Sequence, residues 1–69
     1  MEILFAQRLR ALRVEIGLSQ EQLATVLQIT QRKVSYWETG EIEPDLQTLC
    51  RLAGYFDVST DYLLGLKDF

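Results

Sequence analysis

Residues Ser19 to Gly40 read SQEQLATVLQITQRKVSYWETG. Ser19, followed three residues later by Gln22, forms a capping-box pattern that starts a helix. Leu23, Ala24 and Leu27 lie on one face of that helix, which runs to about Leu27. Thr30 can cap a second helix running to about Glu38, with Gly40 placed to stop it. Val34 and Trp37 form its inner face. The stretch is therefore helix, three-residue turn, helix. Ala24 is small where two crossing helices must approach closely.

Working outward, Phe5, Leu9, Leu12 and Ile16 step by four, three and four, one stripe of a preceding helix. Gly17 can end it in a left-handed cap. On the other side, Pro44 breaks the chain and Asp45 caps a helix expected to bury Leu46, Leu49, Cys50, Ala53 and Phe56. Ser59 starts a short last helix ending at Gly65. No stretch alternates apolar and polar residues long enough for a strand. The reading is all-α: a compact five-helix domain over residues 1–69, with its helix-turn-helix core at about 19–40.

The composition narrows the function. At 69 residues, the length fits one small domain. Hydrophobic residues at 48% and charged residues at 25% argue against disorder. No apolar run approaches the roughly 20 residues needed to span a bilayer, and no leader pattern is present, so no membrane partner is expected. The chain has a single cysteine and no histidine. That excludes an internal disulfide framework and the commonest general base and metal ligand. Ser19, Ser35 and Ser59 have no base beside them, and there is no Gly-rich phosphate loop. The reading is of no enzyme, no metal, no cofactor and no small-molecule substrate.

The formal charge of −3 speaks against a phosphate-rich partner, but it is unevenly spread. Residues 1–40 hold five basic and four acidic side chains; residues 41–69 hold two and six. On a helical wheel from Val34, Arg32 and Tyr36 fall at about 160° and 200°, pointing away from the core. Lys33 and Ser35 flank them, and Gln31 sits on the exposed first turn. This outward face carries donors and no carboxylate, and its width suits a DNA major groove. Glu38 falls on the buried side and needs a partner. Arg13, at the edge of the first helix's stripe, is expected to supply it as an ion pair.

RLRALR (8–13), Gly17, LSQEQLA (18–24), ITQRKVSYWETG (29–40) and PDLQTLCRLAGYFDVSTDYLLG (44–65) together resemble the phage-repressor and Cro-type (Xre-type) helix-turn-helix family. The resemblance covers nearly the whole chain. It implies a lambda-repressor-like fold whose third helix enters the major groove of double-stranded DNA, as a homodimer on a pseudo-palindrome. It places Gln31, Arg32 and Tyr36 where base edges are read. Ser19, Gln20, Lys33, Ser35, Thr39 and Arg10 then fall at phosphate or flanking positions, and Arg13 with Glu38 at a structural pair. Val58, Tyr62, Leu66 and Phe69 are dimer candidates, although Val58 and Tyr62 can equally complete the core. By the same resemblance the protein works in the bacterial cytoplasm, on the nucleoid, with prophage-type regulators as its kin.

Three departures from the family pattern stand out. Gln28 occupies a turn position where glycine is usual, so a left-handed backbone there carries roughly 1–2 kcal/mol of strain. The loop after the third helix carries Glu41, Glu43 and Asp45 where bases are common. Tyr36 stands where polar or basic residues are usual; it can stack, meet a thymine methyl, bond a phosphate or simply be exposed. With Arg8, Arg10, Arg32 and Lys33 as the phosphate-neutralising set, the expected salt dependence is shallow. The acidic half keeps a second reading open: an antitoxin-like or adaptor module that uses this fold to bind a protein.

Overall fold

Local hydrogen bonds set the helix boundaries. The computed structural model describes residues 2–69. It has five helices: α1 (Phe5–Glu15), α2 (Gln20–Leu27), α3 (Gln31–Thr39), α4 (Leu46–Phe56) and α5 (Thr60–Leu64). Four begin at a side-chain cap. Ser19, Thr30, Asp45 and Ser59 accept the backbone N–H groups of Gln22, Lys33, Thr48 and Tyr62. Gln22 completes the box by accepting the Ser19 N–H at 2.8 Å. Among the described residues there is no strand, and no helix is long and apolar enough to cross a membrane.

One core joins all five helices. Phe5, Leu9 and Leu12 of α1 meet Leu23, Ala24 and Leu27 of α2, Val34 and Trp37 of α3, Leu49, Leu52 and Ala53 of α4, and Leu63 of α5. Trp37 is the largest fully buried side chain, with Phe5 edge-on at 6.5 Å between ring centroids. Its indole N–H finds no acceptor among the described residues, a destabilising feature accepted for the area the ring buries. Near the chain ends, the Leu4 N–H donates to the Leu64 carbonyl at 3.0 Å. Gly65 is required there: its φ is +87°, and a Cβ would sit 2.7 Å from Leu4 Cγ.

The core differs from the sequence expectation in two places. Ile16 is in phase with the α1 stripe but 52% exposed, because the helix stops at Glu15 and Ile16 is its C-cap. In α4 the buried stripe is Leu49, Leu52 and Ala53, with Phe56 half-buried. Cys50 is exposed, because it lies about 100° round the helix from Leu49. Leu46 is 81% exposed; it sits on the first turn, beyond the edge of the core.

Candidate nucleic-acid interface

The turn between α2 and α3 sets the geometry. Gln28 takes the left-handed conformation at φ 60° and ψ 43°. The Ile29 N–H then closes on the Ala24 carbonyl at 2.9 Å, and Thr30 opens α3. This brings the first residues of the two helices together: Gln31 Nε2 donates to Gln20 Oε1 at 2.6 Å.

That contact is the outer end of a chain of polar groups. Gln20 Nε2 donates to Glu38 Oε1 at 3.1 Å. Arg13 Nε and Nη2 donate to the two Glu38 oxygens at 2.6 Å and 3.0 Å. Arg13 Nη1 donates to the Leu18 carbonyl at 2.8 Å. The Arg13 and Glu38 side chains are only 11% and 3% exposed, so each charge depends on the other. The hydrogen bond to Glu38, with that group's negative charge, raises the Arg13 pKa above its ordinary value, against the smaller opposing effect of burial. The Gln20 links to Glu38 and Gln31 are absent from the sequence reading. They join positions 18 and 11 residues apart, and only the crossing of the helices brings them together.

Around this chain, Gln31, Arg32 and Lys33 are exposed on α3, and Ser35 is half-buried. Tyr36, expected to point straight out, is also half-buried. The Glu41 and Ile42 N–H groups fold back onto its carbonyl, so the turn after α3 lies beside it. Thr39 Oγ1 donates to the same carbonyl at 3.2 Å, so its single proton has to turn away from that carbonyl to reach a phosphate. Ser19 Oγ accepts the Gln22 N–H and keeps its own proton to donate. Arg10 is exposed and lines an open groove of about 570 Å³ together with Gln7, Val14 and Glu38. That places it on the Glu38 side of the molecule.

Arg8 is occupied elsewhere, contrary to its expected place among the phosphate-neutralising bases. Its Nη1 donates to the carbonyls of Tyr62 and Lys67, both at 3.0 Å. Its guanidinium lies 4.3 Å from the Tyr62 ring centroid and 3.6 Å from Asp68. The side chain clasps the segment after α5.

The acids Glu41, Glu43 and Asp45 are all exposed. The Thr48 N–H donates to Asp45 Oδ1 at 2.7 Å. Thr48 hydrogen bonding holds the Asp45 carboxyl below its ordinary 3.8, with smaller help from the charges of Lys33 and Arg51. Lys33 therefore feels an acid from the loop. Of the dimer candidates, Val58 and Tyr62 pack against the core, whereas Leu66 and Phe69 are 47% and 89% exposed. The fold also forms a second apolar surface from residues far apart in the sequence. Ile3, Phe5, Pro44, Leu46, Leu49 and Leu64, with Glu43, line a groove of about 190 Å³.

Comparison with known proteins agrees with this geometry. A family model described as helix-turn-helix matches residues 9–63. The SPbeta prophage-derived uncharacterized HTH-type transcriptional regulator YonR of Bacillus subtilis is 43% identical over 61 residues, covering 88% of this chain and 56% of that protein. A transcriptional regulator from Listeria innocua superposes with a TM-score of 0.89 at 42% identity, over 94% of this chain and 61% of that one. The c2 repressor of Salmonella phage P22, solved in complex with a synthetic operator, superposes with a TM-score of 0.80 at 32% identity, over 87% of this chain and 91% of that one. The chain spans about half the length of three of the curated relatives it matches, from 46% to 58%.

Proposed function

From the premise that this chain belongs to the helix-turn-helix family, we propose that residues 1–69 form one sequence-specific, double-stranded-DNA-binding module of a repressor-like transcriptional regulator. The observation that carries this is the exposed start of α3. Gln31, Arg32 and Lys33 stand there with no carboxylate on the outward face of the helix itself, and a buried ion pair holds Gln31 in place through Gln20. A helix so furnished matches the major groove, where Arg and Gln read base edges.

In this reading Gln31, Arg32 and Tyr36 meet bases. Ser19, Gln20, Lys33, Ser35, Thr39 and Arg10 meet phosphates or flank them, assisted by the positive N-terminal end of α2. The role is binding rather than catalysis. It is exercised on the nucleoid of a bacterial host, without a small-molecule substrate. The P22 c2 repressor in complex with a synthetic operator supports the docking mode by similarity. With Arg8 engaged by the tail, few cations remain for phosphate, so useful affinity needs two subunits on a pseudo-palindrome with half-sites about one helical turn apart. Leu66, Phe69 and the groove around Leu46 are the apolar surfaces available for that pairing.

The same groove, beside an acidic loop, favours the second reading of a protein-binding adaptor. Selection of binding sites from a random duplex library separates the two. A DNA regulator enriches one sequence, and Gln31→Ala with Arg32→Ala abolishes the enrichment while the domain stays folded. An adaptor enriches none.

A further inference from the structure

We infer that Arg51, on α4, is a phosphate-contacting residue of the DNA interface, acting beside Lys33 of α3. This rests on the DNA-binding reading above and deepens it by one named contact. By its place in the chain Arg51 belongs to the acidic half, with Lys67 as its only fellow base after Gly40. The fold moves it. Arg51 Nη2 donates to the Leu27 carbonyl at 3.3 Å, across 24 residues. The guanidinium therefore crosses from α4 to the C-terminal end of α2, where the turn into α3 begins. That carbonyl is among the last of α2, which have no acceptor role left inside the helix.

The Leu27 contact uses one N–H of a planar fork that carries several. Arg51 is exposed, so its other donors remain for a ligand. Lys33 stands close to the same turn: its N–H donates to Thr30 Oγ1 at 3.2 Å, on the first turn of α3. Asp45 ties the two cations together. Its carboxyl is held below the ordinary 3.8 first by Thr48 hydrogen bonding, and then by the charges of Lys33 and Arg51. Two cations from different helices thus face one acid, and an anion drawn to Lys33 meets Arg51 as a neighbour. A guanidinium fork matches the paired oxygens of a phosphate, which a lysine meets only as a point charge. Arg51 sits behind the reading helix, on α4, so its ligand is the backbone and not a base edge. It also supplies a cation where Arg8 is taken up by the tail.

The test measures affinity against salt for the full chain, Arg51→Gln and Arg51→Lys, on a duplex enriched from a random library. Each neutralised phosphate steepens the log–log salt slope by about 0.9. Arg51→Gln should flatten the slope by that amount, so that its binding deficit shrinks about three- to fourfold between roughly 50 and 200 mM salt. Arg51→Lys keeps the charge and should keep the parent slope. Base preferences should match the parent in both, because phosphate contacts carry no sequence. A residue that only caps α2 gives Arg51→Gln the same deficit at every salt concentration, and that result overturns the inference. A second readout needs no variant to fold. In the parent chain, the Arg51 Nε–H signal in nuclear magnetic resonance should shift and exchange more slowly when the duplex is added; an unmoved signal overturns the inference as well. If the library enriches no duplex, the DNA-binding reading fails and takes this contact with it. Enrichment with an unchanged Arg51→Gln slope sinks the Arg51 assignment alone.

Discussion

α1 sends one arginine into each half of the molecule, and the two are held differently. Arg13 meets a carboxylate inside the helix-turn-helix half, with side chains 11% and 3% exposed. Arg8 reaches the tail, where its partners are two carbonyls, an aromatic face and Asp68, whose side chain is 98% exposed. The same guanidinium thus acts as a structural necessity in one half and as a clasp in the other. Removing one member of a buried pair strands a charge that water cannot reach, whereas an exposed acid is replaced by solvent at almost no cost. Glu38→Ala should therefore cost about 3–5 kcal/mol, enough to remove most of the stability of so small a domain. Asp68→Ala should stay within about 0.5 kcal/mol of the parent. Thermal melting of the two variants side by side checks this, and similar melting temperatures would erase the distinction between the halves.

A gentler way to sharpen it is Arg8→Ala. Two hydrogen bonds and the contact with Tyr62 are lost, but the carbonyls left behind lie near the surface and regain water. About 1–2 kcal/mol is expected. The change should also be local: amide hydrogen exchange speeds up from α5 to the tail and stays slow in α2 and α3. Acceleration spread evenly over all five helices would show that the clasp supports the whole core.

What the sequence made legible divides along similar lines. Each of the four side-chain caps lies three residues from the N–H it binds, so Ser19, Thr30, Asp45 and Ser59 fixed the helix starts by short-range chemistry alone. Arg13 and Glu38 could be matched on paper because a buried acid demands a base, and one arginine sat at the edge of an apolar stripe. Ile16, Leu46 and Cys50 misled because apolar periodicity says nothing of where a helix ends or where the core's edge falls. The Arg8 clasp was hidden further still, since its acceptors are backbone carbonyls 54 and 59 residues away and carbonyls leave no mark on a sequence. The exposed start of α3 was readable as a set of residue types. The orientation imposed on Gln31 was not, because it depends on the packing of α2 across α3.

The two halves also each hold one non-glycine residue in the left-handed region, Gln28 at φ 60° and Asp57 at φ 57°. Aspartate is several-fold enriched there because its short polar side chain bonds locally, and glutamine lacks that reach. Gln28→Gly should stabilise the chain by about 1 kcal/mol once the greater freedom of glycine in the unfolded state is deducted. Asp57→Gly should gain less. Denaturant midpoints at constant slope measure both, and a larger gain at Asp57 would reverse the assignment of strain to the helix-turn-helix half.

The smallest effect concerns acid. Asp45 caps α4 with a carboxyl held below its ordinary 3.8, so the folded state binds that proton less readily than the unfolded chain does. The stability this brings is fully present above the ordinary value and is lost as pH falls through the lower folded value. Arg13 is shifted upward from its already strongly basic ordinary value, so its contribution is lost only as pH rises through a still higher value and leaves neutral solution untouched. Melting of Asp45→Asn against the parent isolates the carboxylate, because asparagine caps a helix about as well but does not titrate. The difference between the two should be flat from neutral pH down to about 4 and close below it. The same variant bears on the placement of acid beside α3. In the proposed interface the charge of Lys33 acts weakly on Asp45, so Asp45→Asn should bind DNA slightly more tightly at low salt. The gain should vanish near 1 M salt, where the screening length falls to about 3 Å. A gain that persists there would mean that the loop shapes the interface through direct contact rather than through its charge.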